Sequence, residues 1–286
     1  MIQKDIEDQL VEGIRQAETK LPDEVISALR KAKEVEEGLA KLQIEAILEN
    51  VDIAKNTKTP MCQDTGIQTF YIKVGDKFPY LGELKDIITN AVKRATMEVP
   101  LRANTVDPFT NKNPGNNIGR YIPLFTWDIE KGEECTIYII PKGGGSENMC
   151  ALNMMIPGKG IKGFKRFVVD YIISCEGKPC PPTIVGVGIG GGAELSLKLG
   201  KKALLRDVGE RHPESRIAKL EEELIVLINE SGVGPMGIGG KTTVLDVHID
   251  YAYRHPASFP IGVVVQCWAD RRSKVKINKE GLVEVI

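Results

Sequence analysis

The sequence lacks the marks of a membrane, secreted or nucleic-acid-binding chain. No apolar run is long enough to span a bilayer, and the first twenty residues, "MIQKDIEDQLVEGIRQAETK", mix charges where an export leader would be apolar. The net charge is −1, so no basic field points to nucleic acid or anionic lipid. The six cysteines (Cys62, Cys135, Cys150, Cys175, Cys180 and Cys267) are scattered over 286 residues. That is no disulfide framework, and a chain of this length needs no such staples. Nor is there a C-x-x-C pair of the kind zinc sites favour. There is no internal repeat and no low-complexity tract. The expectation is a cytoplasmic protein with reduced thiols.

What is present fits a globular protein with a substantial core: 42% hydrophobic and 27% charged residues. Ile6, Leu10 and Ile14 recur every fourth residue and predict a first helix. Pro22, Asp23 and Glu24 open a second, which carries Val25, Leu29 and Ala32 on its apolar face. Gly38 separates it from a third, "LAKLQIEAILENVDIA". A strand over 67–74 and a helix "GELKDIITNAVKRATMEV" follow. The polar stretch from Arg102 to Gly119 is too long for a plain connector, and long loops inside compact domains often carry function. The second half alternates strands and helices. It ends in "TTVLDVHIDYAYR", "IGVVVQCWA" and "KVKIN", whose short turns predict antiparallel neighbours. The fold class is therefore α/β of the mixed α+β kind. It has a helical N-terminal region, a mixed sheet flanked by helices and antiparallel C-terminal strands.

The segment "PMCQDTG" (residues 60–66) sets a thiol, an amide, a carboxylate and a hydroxyl side by side where a turn enters a strand. Four more turns gather reactive residues: "PLRANT", "KGGGSENMC", "GKPCPPTIVGVGIGGGAE" and "RHPASFPIGVVVQCWADRR". A single cysteine is by default a small buried apolar residue. Cys62, Cys180 and Cys267 differ in following turn residues or bordering charge, so three distant thiolates holding a metal cluster is one reading of them.

The glycines of "GVGIGG" (186–191) match the spacing of a dinucleotide loop, and Asp207 lies about twenty residues on. A nucleotide fold needs a strand after the following helix, yet "SRIAKLEEELIVLINE" reads as another helix. The expectation is instead a strand-to-helix turn whose free backbone N–H groups face an anion or a cluster. Lys241 in "GGKTT" has the wrong glycine spacing for a phosphate loop. Of the histidines, His212 reads as loop, and His248 as structural or surface. His255, before Pro256, suits a turn as well as it suits catalysis.

Together "CQDTG", "GGGSEN", "CPP" before a glycine-rich strand, and "RHP" before "CWADRR" resemble the iron–sulfur hydro-lyases. They are most similar to the α subunits of two-chain class I fumarate hydratases, with two-chain tartrate dehydratases as the nearest alternative. The resemblance runs from the first helices to the C-terminus. It implies one domain over 1–286, with a helical part over about 1–57 and a cluster-binding part over about 58–286. It implies that Cys62, Cys180 and Cys267 bind a [4Fe-4S] cluster with one open iron. Gln63, Asp64, Arg102 and the backbone at Gly145 would contact the substrate, and Asp64 and His255 would take part in proton transfer. Cys135, Cys150 and Cys175 match no ligand and are read as structural.

The resemblance further implies a small dicarboxylate as substrate, a separate β subunit that completes the site, and an (αβ)2 assembly. It implies no nucleic-acid or membrane partner. A non-catalytic regulatory chain that binds a carboxylate or nucleotide through its glycine turns is the alternative from another class.

Overall fold

The computed structural model describes residues 2–286. In chain order its elements are α1 (Ile2–Thr19), α2 (Asp23–Val35), α3 (Gly38–Thr57), β1 (Ile67–Gly75), α4 (Leu84–Glu98), β2 (Leu124–Glu130), β3 (Cys135–Lys142), α5 (Gly144–Glu147), β4 (Ala151–Met155), α6 (Gly160–Cys175), β5 (Thr183–Ile189), α7 (Ala193–Ala203), α8 (Ser215–Asn229), β6 (Val244–Tyr251), β7 (Phe259–Gln266), β8 (Ser273–Ile277) and β9 (Val283–Val285). The chain divides into two compact units. The first comprises residues 1–21, 50–144 and 271–286, and the second 22–49 and 145–270. Among the described residues no helix is long and apolar enough to cross a membrane.

The first unit holds a five-stranded sheet in the order β2-β1-β3-β8-β9. β1 runs parallel to β2 and antiparallel to β3. The stripe Ile6, Leu10 and Ile14 of α1 is fully buried, and it shares a core with Ile88 and Val92 of α4, Phe70 and Ile72 of β1, Ile137 and Ile139 of β3, and Val275 of β8. Lys73 is the exposed residue of β1, a strand interior to its sheet. The loop 102–119 carries no regular element, as expected.

The second unit holds a four-stranded sheet in the order β4-β7-β5-β6. Side chains alternate along its strands. Val185, Val187, Val263 and Val265 join one core with Phe164, Val168 and Ile172 of α6 and Leu224 and Ile228 of α8. The intervening positions 186, 188 and 262 are glycines packed against α7: a Cβ at Gly188 would lie 1.9 Å from the Ser196 carbonyl oxygen, and one at Gly186 2.1 Å from that of Gly200.

The expected helices and strands are present, and β7, β8 and β9 are antiparallel to the strands they pair with. Two expectations need correction. First, consecutive C-terminal strands are not all neighbours. β6 pairs in parallel with β5, β7 lies between β4 and β5, and β8 pairs with β3 in the other sheet. The parallel strand expected of a nucleotide fold thus does follow, after two helices, but Asp207 lies between α7 and α8 and not at its end. Second, the N–H groups of the glycine turn are not free. Gly190 donates to the Pro260 carbonyl at 2.9 Å and Gly191 to that of Tyr253 at 3.0 Å. The glycines serve close packing of backbone on backbone, which a side chain would prevent.

Gly188→Ala should therefore lower the unfolding free energy by about 3 kcal/mol, the upper part of the usual overpacking range. Gly158→Ala, at a position where an added Cβ meets nothing within 4 Å, should change it by less than about 0.5 kcal/mol. Denaturant titration of the two variants checks this, and equal losses would refute the packing role of Gly188.

Candidate functional site

In the first unit the loop between α3 and β1 carries Cys62, Gln63 and Asp64. Cys62 is half-buried, and its Sγ donates to Gln63 Oε1 at 3.4 Å. Asp64 Oδ1 accepts from Gly66 N at 2.9 Å and from Asn104 Nδ2 at 3.1 Å. Its Oδ2 accepts from Gly144 N at 2.8 Å. The carboxylate is thus aimed by donors from three parts of the chain, and Oδ2 keeps a lone pair that Oδ1 has spent. A Cβ on Gly143 would sit 3.1 Å from Oδ2, so the "KGGG" glycines let the backbone close on Asp64. Gly145 belongs to the second unit, where a Cβ would make ordinary contact with the Lys178 carbonyl.

Arg102 is placed beside this loop by its main chain. Its N–H donates to Thr65 Oγ1 at 3.1 Å, and its carbonyl accepts from Asn117 Nδ2 at 3.0 Å. Its side chain is exposed, and among the described residues no carboxylate or carbonyl pairs with its guanidinium. Such a cation can meet an incoming carboxylate with both ends of its fork.

The second unit brings Cys180 and Cys267 to one end of its sheet. Cys180 precedes β5, Cys267 follows β7, and Ile184 pairs with Gln266 in the antiparallel ladder. Trp268 N donates to the Cys180 carbonyl at 3.2 Å. Cys180 has φ +56°, a left-handed conformation that costs a non-glycine residue energy and tends to persist at functional sites. The turn is held by Cys180 N donating to the Gly177 carbonyl and by Met236 N donating to that of Pro181.

His255 lies at the opposite end of this sheet, in the turn between β6 and β7. The step from Ile184 to Ile189 alone spans about 17 Å of strand. Its Nδ1 accepts from Ala257 N at 3.1 Å, which puts the proton of a neutral ring on the exposed Nε2.

The other cysteines behave as packing residues. Burial pushes the Cys135 thiol up to about 12 and raises that of Cys175 as well. Cys150 is half-buried, its Sγ directed to Ser146 O and Glu147 Oε2. His248 is buried, 3.1 Å from an Asp246 oxygen. Lys241 pairs with Glu37, not with a phosphate-loop geometry.

The thiol chemistry suits iron–sulfur ligation. Cys62, Cys180 and Cys267 are half-buried, and none is in a disulfide. Among the described residues no group of three or more His, Cys, Asp or Glu side chains is gathered as a site for a single metal ion.

Sequence reasoning missed the support beneath Asp64. Glu18, at 0% exposure, accepts from Arg271 Nη1 at 2.7 Å and from Gln68 Nε2 at 3.0 Å. The signal was there: Glu18 continues the Ile6, Leu10, Ile14 stripe by one more step of four, a charge where the pattern asks for an apolar residue.

A mixed α/β chain that aims a carboxylate and an exposed arginine from one loop cluster, and sets thiols at strand ends, has the groups of an enzyme. Residues 7–276 match the model of the fumarate hydratase (Fumerase) family. The chain is 47% identical over 278 residues to the "Putative L(+)-tartrate dehydratase subunit alpha" of Methanocaldococcus jannaschii, covering 96% of this chain and 98% of that protein. It is 38% identical over 264 residues to the L(+)-tartrate dehydratase subunit alpha of Escherichia coli O157:H7, covering 92% and 87%. To the same subunit of strain K12 it is 37% identical. The chain belongs to the fumarate hydratase family and is a hydro-lyase chain.

Burial pushes the Glu18 carboxyl from its ordinary 4.5 up to about 7. Arg271 and the Gln68 hydrogen bond pull the other way, and the Asp64 charge adds to the rise. Folding then favours the protonated form. The stability this gives is full below pH 4.5 and is lost as pH rises to about 7. Glu18→Gln cannot lose it. The unfolding free energy of the variant relative to the native chain should rise between pH 4.5 and 7 and level off above. Urea titration across that range checks the sign, and a difference independent of pH would refute it.

Proposed function

We propose that this chain is the α subunit of a two-subunit iron–sulfur hydro-lyase that adds water reversibly to fumarate to give (S)-malate. The observation that carries this reading is the placement of Asp64 and Arg102 in one loop cluster. A carboxylate fixed by three donors and an unpaired guanidinium are tied to one another through Thr65 and Asn104. Proton removal at carbon needs a positioned base, and a dicarboxylate needs a cationic clamp. Cys62, Cys180 and Cys267 are the thiolates that would hold the [4Fe-4S] cluster. When bound, its open iron supplies a Lewis acid that makes hydroxide a tolerable leaving group.

Arg102 binds one substrate carboxylate and sets the orientation of the carbon chain. Gln63, exposed beside Cys62, offers its amide to the substrate. Asp64 holds the transferred proton at Oδ2, the oxygen with a lone pair to spare. His255 is left out of this assignment because it stands at the far end of the sheet from Cys180 and Cys267. The relatives named as α subunits support a β partner, which would bring the remaining cationic contacts to the second carboxylate.

A second reading, dehydration of L(+)-tartrate, is favoured by the names of the relatives. The site chemistry is common to both, since each reaction moves water across the two central carbons of a four-carbon dicarboxylate. The test is to prepare the chain with its partner subunit without oxygen, reconstitute it with iron and sulfide, and assay fumarate hydration and L(+)-tartrate dehydration side by side. Faster turnover of fumarate supports the first reading and faster turnover of tartrate the second. No turnover of either by a preparation containing iron and sulfide would overturn both. Cys62→Ser, Cys180→Ser and Cys267→Ser should each lose bound iron and sulfide, while Cys135→Ser, Cys150→Ser and Cys175→Ser keep them.

Arg102→Lys keeps the charge and loses the fork. It should raise KM roughly tenfold to a hundredfold. An unchanged KM for the preferred dicarboxylate would remove Arg102 from the clamp.

A further inference from the structure

The arrangement of Asp64 and Arg102 leaves one feature of the first unit without a role. Arg271 is among the largest fully buried side chains, at 1% exposure, and its partner Glu18 is at 0%. An apolar pair of the same volume would hold the fold as well or better, because desolvating two charges offsets most of their attraction. An apolar pair could not, however, grip the Asp64 carbonyl in a fixed direction, and that is what Arg271, oriented by Glu18, does. Arg271 Nη1 donates to Glu18 Oε2 at 2.7 Å, and its Nη2 donates to the Asp64 carbonyl at 2.9 Å. Glu18 Oε1 accepts from Gln68 Nε2 at 3.0 Å, and the same nitrogen lies 3.3 Å from the Thr65 carbonyl. The Glu18 carbonyl accepts from Met61 N at 3.0 Å. The loop is therefore held at residues 61, 64 and 65, on either side of Cys62 and Gln63, by groups with no access to water.

We propose that Glu18 and Arg271 are positioning residues for the reaction. Oriented by Glu18, Arg271 clamps the main chain of the Met61–Thr65 loop at the Asp64 carbonyl and so fixes where the Asp64 carboxylate stands. This rests on the reading of Asp64 as the proton-holding group. Neither residue touches substrate: Glu18 acts on Arg271, and Arg271 acts on the carbonyl of Asp64. The carboxylate itself is fixed by Gly66, Asn104 and Gly144. The clamp below and the donors above leave Asp64 one place to be.

Arg271→Lys separates the two tasks of this residue. An ammonium can still neutralise Glu18, but it cannot also span to the Asp64 carbonyl as the planar guanidinium does. Glu18→Gln keeps the size and puts an amide, with only one accepting oxygen, in place of the carboxyl group that orients Arg271.

Two readouts apply to each variant. The first, in the reconstituted enzyme with its partner subunit, is steady-state kinetics. The expected result is a kcat lower by roughly tenfold or more, with KM within about threefold, since a displaced base spoils the chemical step and leaves Arg102 binding intact. The second, in the cluster-free chain, is amide hydrogen exchange. The Gly144 amide, which donates to Asp64 Oδ2, should exchange roughly tenfold faster, while the ladder amides of β1 and β3 keep native protection. Arg94→Lys, a surface ion-pair change in the same unit, should move neither.

If Arg271→Lys does not fold, Glu18→Gln decides by the same two measurements. Unchanged kcat, or unchanged exchange at Gly144, overturns the clamp. A loss of protection spread over the whole sheet also overturns it, by making the pair a general support. If the native enzyme turns over neither dicarboxylate, the proposed reaction has failed, and exchange at Gly144 alone decides whether the clamp exists.

Discussion

Arg271 is sealed from water, and a guanidinium in that position needs fixed acceptors, which its two Nη groups find. Glu18 supplies one acceptor from the end of α1, and the Asp64 carbonyl supplies another from the loop before β1. Segments 253 residues apart in the chain are bound by this one contact. From it follow the path of the Met61–Thr65 loop, the exposure of Gln63 and the direction of the Asp64 carboxylate. The loop could not take another course without leaving a buried charge or a buried carbonyl unpaired. That constraint is stricter than apolar packing, which tolerates exchange of one apolar residue for another of similar volume.

In the second unit the corresponding constraint is steric. Gly186 and Gly188 of β5 and Gly262 of β7 admit the backbone of α7 to distances that any side chain would forbid. The valines between them face α6 and α8. The strand register is set by this two-sided demand, since a slip of one residue would turn valines onto α7 and glycines into the core. With the register fixed, Cys180 and Cys267 must lie at the same end of the sheet and His255 at the other.

The two units hold their reactive residues by different means. Asp64 is aimed by a relay of hydrogen bonds that starts from a buried ion pair. Cys180 is held in a left-handed turn by carbonyls and amides of neighbouring turns. In both, the residue that would do chemistry is a loop residue whose backbone is over-determined by its surroundings, the usual way to keep a loop in one conformation.

Much of this was legible in the sequence. The stripe Ile6, Leu10, Ile14 marked α1, Pro22 with Asp23 and Glu24 marked the start of α2, and the turn motifs picked out Cys62, Asp64 and Arg102. Those signals are local: helix and strand periods, caps and turn residues act over a few positions. The sequence by itself determined the element types and the family, and it marked the loops that carry Cys62, Asp64 and Arg102. The tertiary structure alone decided which residues meet. It turned a nucleotide-like glycine run into a packing surface, placed β6 in parallel beside β5, carried His255 away from the two cysteines, and joined Glu18 to Arg271. The physical reason is that strand pairing and buried-charge pairing are satisfied between segments far apart in the chain, where no local pattern records the partner.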